Sequence, residues 1–220
     1  MSLTPLIECI PNFSEGRNSQ TIEAIATAIR SIKEVRLLHI DQGEAANRTV
    51  FTFIGPPEPL VEAAFQAIRV ASELIDMRQQ KGEHPRIGAC DVCPLVPLSN
   101  ISMEEVQRYA EQLGQRVGDA LDIPVYLYEH SATAAHRKNL ATIRSGEYEG
   151  FAEKMNSSKW QPDFGPLSFN ATTGATVLGA RDFLIAYNVN LDTTDVSIAC
   201  LLYTSPSPRD RTRSRMPSSA

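Results

Sequence analysis

Short apolar runs alternate along this chain with stretches whose apolar residues recur every three or four positions, which predicts strands interleaved with helices. The run at 6–10 ends at Pro11-Asn12-Phe13-Ser14-Glu15-Gly16, a strand feeding a polar turn. Asn18-Ser19 then supplies a helix cap, and Ile22, Ile25, Ala26 and Ile29 follow at helical spacing. Residues 35–41 and 48–54 read as two strands joined by the small polar turn 42–47, an antiparallel hairpin-like pair. Gly55-Pro56-Pro57 ends the second strand. A helix over 58–77 carries Leu60, Ala63, Ala64, Ala67, Ile68, Ala71 and Ile75 as its buried stripe.

A polar loop punctuated by Gly and Pro, 81–89, leads into an apolar strand over 90–98. Asn100-Ile101-Ser102-Met103-Glu104-Glu105 caps a third helix reaching residue 120, and 125–128 is a strand after Pro124. The segment 131–155 leans helical but is interrupted at Gly146. Residues 160–179, rich in Gly, Pro, Ser, Thr and Asn, predict one long loop, and loops of that length are functional or disordered. Residues 183–189 predict a last strong strand, and 191–195 the start of a helix. The order β-α-β-β-α-β followed by α-β predicts an α+β fold. It is the split ferredoxin-like sandwich, with a mainly antiparallel sheet and helices packed on one face.

Composition changes this picture little. A chain of 220 residues with 42% hydrophobic content suffices for a sizeable core in one large or two small domains. No basic, apolar leader opens it, and nothing approaches the roughly 20 apolar residues of a membrane span. A soluble, cytoplasmic protein is expected, with neither membrane nor nucleic acid as partner. Cys90 and Cys93 form a C-x-x-C that suggests redox or zinc chemistry. No second C-x-x-C exists, and i and i+3 on a strand point to opposite faces, so buried core cysteines and no metal are expected.

The formal charge of −5 conceals an asymmetry. Residues 201–220 hold Arg209, Arg211, Arg213 and Arg215 against Asp210 alone, a net of +3; the other 17 basic and 25 acidic residues put the body at −8. A basic tail can bind nucleic acid. This one, from Cys200-Leu201-Leu202-Tyr203-Thr204-Ser205 onward, instead resembles a translated sequencing adapter, so 200–220 is expected to be a disordered, non-native scar on a gene truncated near Ala199.

Polar residues gather at the predicted strand ends: Asn12, Ser14 and Glu15; Asp41; Asn47-Arg48; and Glu83-His84-Pro85-Arg86. The loop 164–174 adds small residues whose backbone can approach a ligand closely. Such convergence suggests a small-molecule site, without naming the molecule. Each residue has a plainer rival role. His84 can cap a neighbouring carbonyl, Asn12 and Arg48 can fix strand ends, Asp41 can form a turn, and Arg144 can pair with Glu147 at helical spacing. His39 reads as a satisfied strand histidine, and His130 and His136 as surface residues.

Several segments, in order, resemble one family. They are Glu8-Cys9-Ile10-Pro11-Asn12-Phe13-Ser14-Glu15-Gly16, Asn47-Arg48-Thr49-Val50, Lys81-Gly82-Glu83-His84-Pro85-Arg86 and Asp91-Val92-Cys93-Pro94. Pro124-Val125-Tyr126-Leu127-Tyr128, Ile143-Arg144-Ser145-Gly146-Glu147-Tyr148-Glu149, Pro162-Asp163-Phe164-Gly165-Pro166 and the stretch 183–190 complete the set. Residues 6–198 thereby resemble the formiminotransferase domain of the glutamate formiminotransferases, including the bifunctional formiminotransferase-cyclodeaminases.

The resemblance implies transfer of a formimino group from N-formimino-L-glutamate to N5 of tetrahydrofolate, a step of histidine degradation and one-carbon metabolism. It implies tetrahydrofolate as co-substrate and no metal. The catalytic histidine of the family's G-E-H-P-R motif carries onto His84. The folate loop carries onto Gly165, Pro166, Leu167, Ser168, Phe169, Asn170, Ala171, Thr172, Thr173 and Gly174. Attack of N5 on the amidine carbon needs one proton removed and another delivered, which a histidine with a pKa near 6.5 can do in turn. Glu83 or Asp41 would orient the imidazole or hold the amidine, Arg48, Arg86 and Arg144 would bind the carboxylates of either substrate, and Asn12 and Asp41 count with them as substrate-binding residues.

The family's domain has a second half that walls its ligand channel. The expected organisation is therefore an N-terminal subdomain over 1–180 and the start of a truncated second subdomain over 181–199. Such a fragment is expected to have little or no activity, and the intact protein to form a homodimer. A non-catalytic folate- or anion-binding module is the rival reading, and zinc on Cys90 and Cys93 the third.

Overall fold

Pro11 cannot donate to a ladder, and it splits the first strand into β1 (Leu6–Cys9) and β2 (Asn12–Phe13). The structure, a computed structural model, describes residues 4–184, 192–195, 197 and 198. Most of the strand expected at 183–189 and all of the tail 200–220 lie outside the described residues. The chain divides into two units at 183/184, and the first holds every named strand and helix.

Helix α1 (Ser19–Arg30) leads to the hairpin of β3 (Arg36–Gly43) and β4 (Arg48–Gly55). Helix α2 (Pro57–Leu74), strand β5 (Cys90–Ser99), helix α3 (Met103–Leu121) and strand β6 (Val125–Leu127) follow. Two short helices, α4 (Leu140–Arg144) and α5 (Glu147–Met155), precede β7 (Thr176–Ala180). β4 and β5 flank β1 and β2 on opposite sides, and β3 pairs with β4, all antiparallel. β7 then joins β5 and β6 in parallel. The result is an α+β molecule with a mixed seven-stranded sheet.

Strand β7 corrects the expectation of an uninterrupted loop over 160–179. All five of its residues are buried. A parallel strand covered on both faces shows no alternation, and a run this short among Gly and Thr leaves little periodic signal.

Alternation along β4 sets the layers. Thr49, Phe51 and Phe53 are buried toward α1 and α2, whereas Arg48, Val50, Thr52 and Ile54 are half-buried on the other face. Ile22, Ile25, Ala26 and Ile29 of α1 are buried, as their spacing predicts. The Asn18 side chain caps α1, accepting from the backbone N–H of Gln20 (3.0 Å) and Thr21 (3.3 Å). Asn18→Ala is expected to lower the unfolding free energy by about 1 kcal/mol in urea titration, since two helix-end N–H groups lose their shared acceptor.

Helices on one face describes α1, α2 and α3 only. The opposite face of β5, β6 and β7 carries a second apolar cluster. There Val92, Tyr126 and Val177 meet Ile143 of α4 and Phe151 and Met155 of α5. The helix-leaning segment 131–155 thus breaks into pieces that cover this face, with Gly146 in left-handed backbone at the break.

A register slip between β2 and β5 also corrects the cysteine geometry. Asn12 lies opposite Val92 but Phe13 opposite Cys90, and this bulge turns Cys90 and Cys93 to the same, helix-side core. Cys93 Sγ lies 3.4 Å from Cys9 Sγ. Burial pushes the Cys9 and Cys90 thiols well up, so both remain protonated core residues.

Candidate functional site

The loop bearing Glu83-His84-Pro85-Arg86 is held at both ends by buried hydrogen bonds. Gln80 is buried at its root, where its side chain donates to the Ser14 carbonyl and accepts from Asn47. Asn47 also donates to the Lys81 carbonyl (2.9 Å) and accepts from the Gly16 N–H (2.9 Å). Asn47 sits in left-handed backbone at φ 47°, which Asn tolerates better than most residues. A side chain at Gly16 would lie 2.6 Å from the Arg48 nitrogen, so only glycine fits that crossing. At the far end Ser14 Oγ donates to the Gly88 carbonyl (2.7 Å), and Ala89 N–H donates to the Thr173 carbonyl (2.8 Å).

Within this frame His84 Nε2 lies 2.8 Å from Arg48 Nη1, which is also 2.9 Å from Asn12 Oδ1. A guanidinium only donates, so Nε2 is the acceptor and the imidazole proton resides on Nδ1. Nδ1 is buried and meets no hydrogen-bond partner among the described residues. Burial first, then the Arg48 and Arg144 cations, push the His84 pKa down to about 4; the Pro85 backbone nearby offsets only part of that fall. The imidazole is therefore neutral at pH 7.

Asp91 completes the cluster from β5, with a side chain only 1% exposed. Its Oδ1 accepts from the Ile87 N–H (3.1 Å), and its Oδ2 pairs with Arg144 Nη2 at the end of α4. Burial raises the Asp91 carboxyl above its ordinary value against the pull of Arg144. Burial, and then Arg144, also lower the Arg48 guanidinium from its usual value. Ser14, Asn47, Arg48, His84, Arg86 and Asp91 line one narrow cleft.

The expected site residues divide on this geometry. Asn12, Arg48, His84 and Arg144 come together, and Arg144 pairs with Asp91 rather than Glu147. Arg86 lines the cleft, but its guanidinium is committed elsewhere, to Glu149 (2.7 and 3.1 Å), Glu147 (3.2 Å) and the Gln80 carbonyl (3.0 Å). Asp41 is exposed on β3, opposite Val50, and does not line the cleft. Among the described residues no hydrogen bond joins Glu83 or Asp41 to the imidazole. His130 bonds Asp182 (2.9 Å) and His136 the Lys159 carbonyl (3.2 Å), both at the surface.

The stretch Gly165 to Gly174 is anchored rather than free. Gly165 and Gly174 take left-handed backbone at φ 82° and 68°, Thr172 accepts from the Met77 N–H (2.8 Å), and Phe169 packs on Tyr148. Its end is thus strapped beside the His84 loop, while Leu167 projects outward, 65% exposed. A groove of about 560 Å³ lined by Lys81, Gly82, Arg86, Gly146, Glu147 and Glu149 runs along the other side of the motif. Asp91 escaped sequence reasoning as a site residue. A lone acid inside the apolar run 89–98 was its signal, since a buried carboxylate requires a partner.

A family model described as the formiminotransferase domain, N-terminal subdomain, matches residues 6–181. The chain belongs to this family. It is 52% identical over 192 residues to the formimidoyltransferase-cyclodeaminase of Rattus norvegicus, covering 87% of this chain and 36% of the relative. It is 45% identical over 197 residues to the glutamate formimidoyltransferase of Streptococcus pyogenes, covering 90% of this chain and 66% of the relative. The Thermoplasma acidophilum glutamate formimidoyltransferase is 48% identical over 195 residues, covering 88% and 64%. The chain therefore spans between about a third and two thirds of these relatives. Among its described residues no helix is long and apolar enough to cross a membrane.

Proposed function

We propose that this chain is the half of a glutamate formimidoyltransferase that carries its proton-transfer centre. The observation that carries the reading is the neutral His84, bonded to Arg48 on Asn12 and lying in the field of Arg144, which pairs with Asp91, in a chain of this family. In the reaction, N5 of tetrahydrofolate bonds to the amidine carbon of N-formimino-L-glutamate, and His84 takes the proton that N5 releases. The same imidazole returns that proton to the glutamate nitrogen as the bond from it to carbon breaks. Arg48 and Arg144, on Asn12 and Asp91, supply the positive field for the carboxylates of either substrate.

The strap between Gly165 and Gly174 is the folate contact in this reading, and the fold is ferredoxin-like. Its support is the order β3-β4-(β1, β2)-β5 among the antiparallel strands. A subdomain ending near residue 180, a cytoplasmic setting and a homodimer of the intact protein belong to the same proposal. So do small molecules, rather than nucleic acid or membrane, as partners.

A chimera tests it. Residues 1–198 replace the matching segment of the Streptococcus pyogenes relative, and transfer to tetrahydrofolate is assayed. Turnover comparable to that of the relative is expected; a folded chimera that binds tetrahydrofolate without turnover would establish the rival, non-catalytic folate- or anion-binding module. One feature favours that rival: Arg48 already occupies the lone pair that a proton acceptor needs.

A further inference from the structure

We infer that Arg48 is a specificity-determining residue that masks the proton-accepting nitrogen of His84 until a ligand carboxylate draws its guanidinium away. The inference rests on the catalytic reading of His84 and deepens it.

Three observations carry it. First, the mask is direct: Nη1 lies 2.8 Å from Nε2, and an imidazole whose lone pair accepts from a cation cannot at the same time accept a substrate proton. Second, Arg48 has no ion-pair partner among the described residues, and Asp91 and Asp41 attract it only from longer range. Arg86 pairs with Glu147 and Glu149 and Arg144 with Asp91, whereas the hydrogen-bond acceptors of Arg48 are the neutral Asn12 and His84. Among the described residues no carboxylate lies within salt-bridge distance of it. Third, Arg48 is half-buried, and burial already strains its charge. A half-buried guanidinium held by neutral acceptors is poised to exchange them for a carboxylate, whose charge-assisted, bidentate bonds are about twice as strong as neutral ones.

The groups facing the imidazole decide what happens next. Arg48 from β4 and Arg144 from α4 are cations, Asp91 from β5 is already shared between Arg144 and the Ile87 N–H, and Arg86 is committed to its glutamates. Of these three arginines, Arg48 alone can move without breaking an ion pair among the described residues. When a substrate carboxylate takes it, Nε2 is freed and the nearest positive charge is neutralised in the same event. An amidine lacking a carboxylate leaves the mask in place. Substrate selection and base activation thus share one side chain.

The test is nitrogen-15 NMR of the imidazoles in the 220-residue chain at neutral pH, with His84 assigned by its absence in His84→Gln and glutarate as the probe. Without glutarate, His84 is expected in the Nδ1–H tautomer, the minor one for free histidine. With glutarate it is expected to move toward the Nε2–H form, and its titration midpoint to rise by about one unit or more. Arg48→Gln is expected to show the released spectrum without glutarate and no response to it. Should that variant fold poorly, Arg48→Lys, which keeps the charge but loses the planar fork, is expected to show a partial release. An Nε2–H tautomer in the free chain, or a His84 signal that glutarate leaves in place, overturns the inference. Undiminished turnover by a His84→Gln chimera would instead sink the catalytic reading, and the tautomer result would not change.

Discussion

His84→Gln in the active chimera is expected to lower kcat by about 10²–10⁴-fold, the usual contribution of a positioned acid–base group, with tetrahydrofolate affinity retained. Glutamine can still offer Arg48 a neutral acceptor near Nε2, so the cleft should keep its shape and the loss should fall on the chemical step. The pH profile sharpens the expectation. Since His84 is held down to about 4, it is already neutral across the physiological range. The acid limb of kcat/KM, which reports the free enzyme, should therefore fall near pH 4 rather than near 6.5. The limb of kcat reports the substrate complex and should lie higher if a carboxylate has removed Arg48. Equal limbs in both parameters, or a variant with near-normal kcat, would contradict this assignment.

The same shift makes stability depend on pH. A histidine with a lowered folded pKa binds its proton more weakly when folded. The contribution of His84 is complete above its ordinary 6.5 and is lost as pH falls toward about 4. Asp91 runs the other way: its carboxyl is raised by burial, so its cost grows as pH rises through its ordinary 3.8. The two oppose each other over neighbouring windows. His84 is partly exposed, which moderates its share.

Where the chain was legible in sequence, the signal was local. The stripe Ile22, Ile25, Ala26 and Ile29 and the alternation through Phe51 and Phe53 repeat at intervals that a single element imposes, and both are buried as read. His84 stood out because Gly, Pro and charge surround it within a few positions. What stayed hidden depends on distant partners. Arg86 meets Glu149 across 63 positions and Arg144 meets Asp91 across 53, and no periodicity reports such pairings. Arg86 therefore read as a carboxylate hook, whereas the structure shows its guanidinium held by Glu147 and Glu149. The bulge at β5 inverted the C-x-x-C geometry for the same reason, since it arises from pairing with β2. Resemblance to a family reached further because it carries tertiary context that local pattern lacks.

Asp91→Ala is expected to cost about 3–5 kcal/mol of unfolding free energy, the range found when one partner of a buried ion pair is removed. Asp91 is 1% exposed and Arg144 16% exposed, so the guanidinium left behind has little water to turn to. The Ile87 N–H also loses its acceptor, immediately after the Glu83-His84-Pro85-Arg86 stretch. The pair itself need not be a net source of stability. Burial pushes the Asp91 carboxyl up even beside an arginine, which means desolvation outweighs the attraction. That asymmetry yields a sharper test than the single change. Asp91→Leu combined with Arg144→Met removes both charges at similar volume and should recover most of the stability that Asp91→Ala loses. It should nevertheless leave the chimera impaired, because Arg144 no longer contributes its charge beside His84. Urea unfolding of the three proteins decides the matter. A loss from Asp91→Ala within the roughly 0.5 kcal/mol of an ordinary surface change would show that this pair does not hold α4 against β5. A double variant no more stable than the single one would show that packing, not the stranded charge, sets the cost.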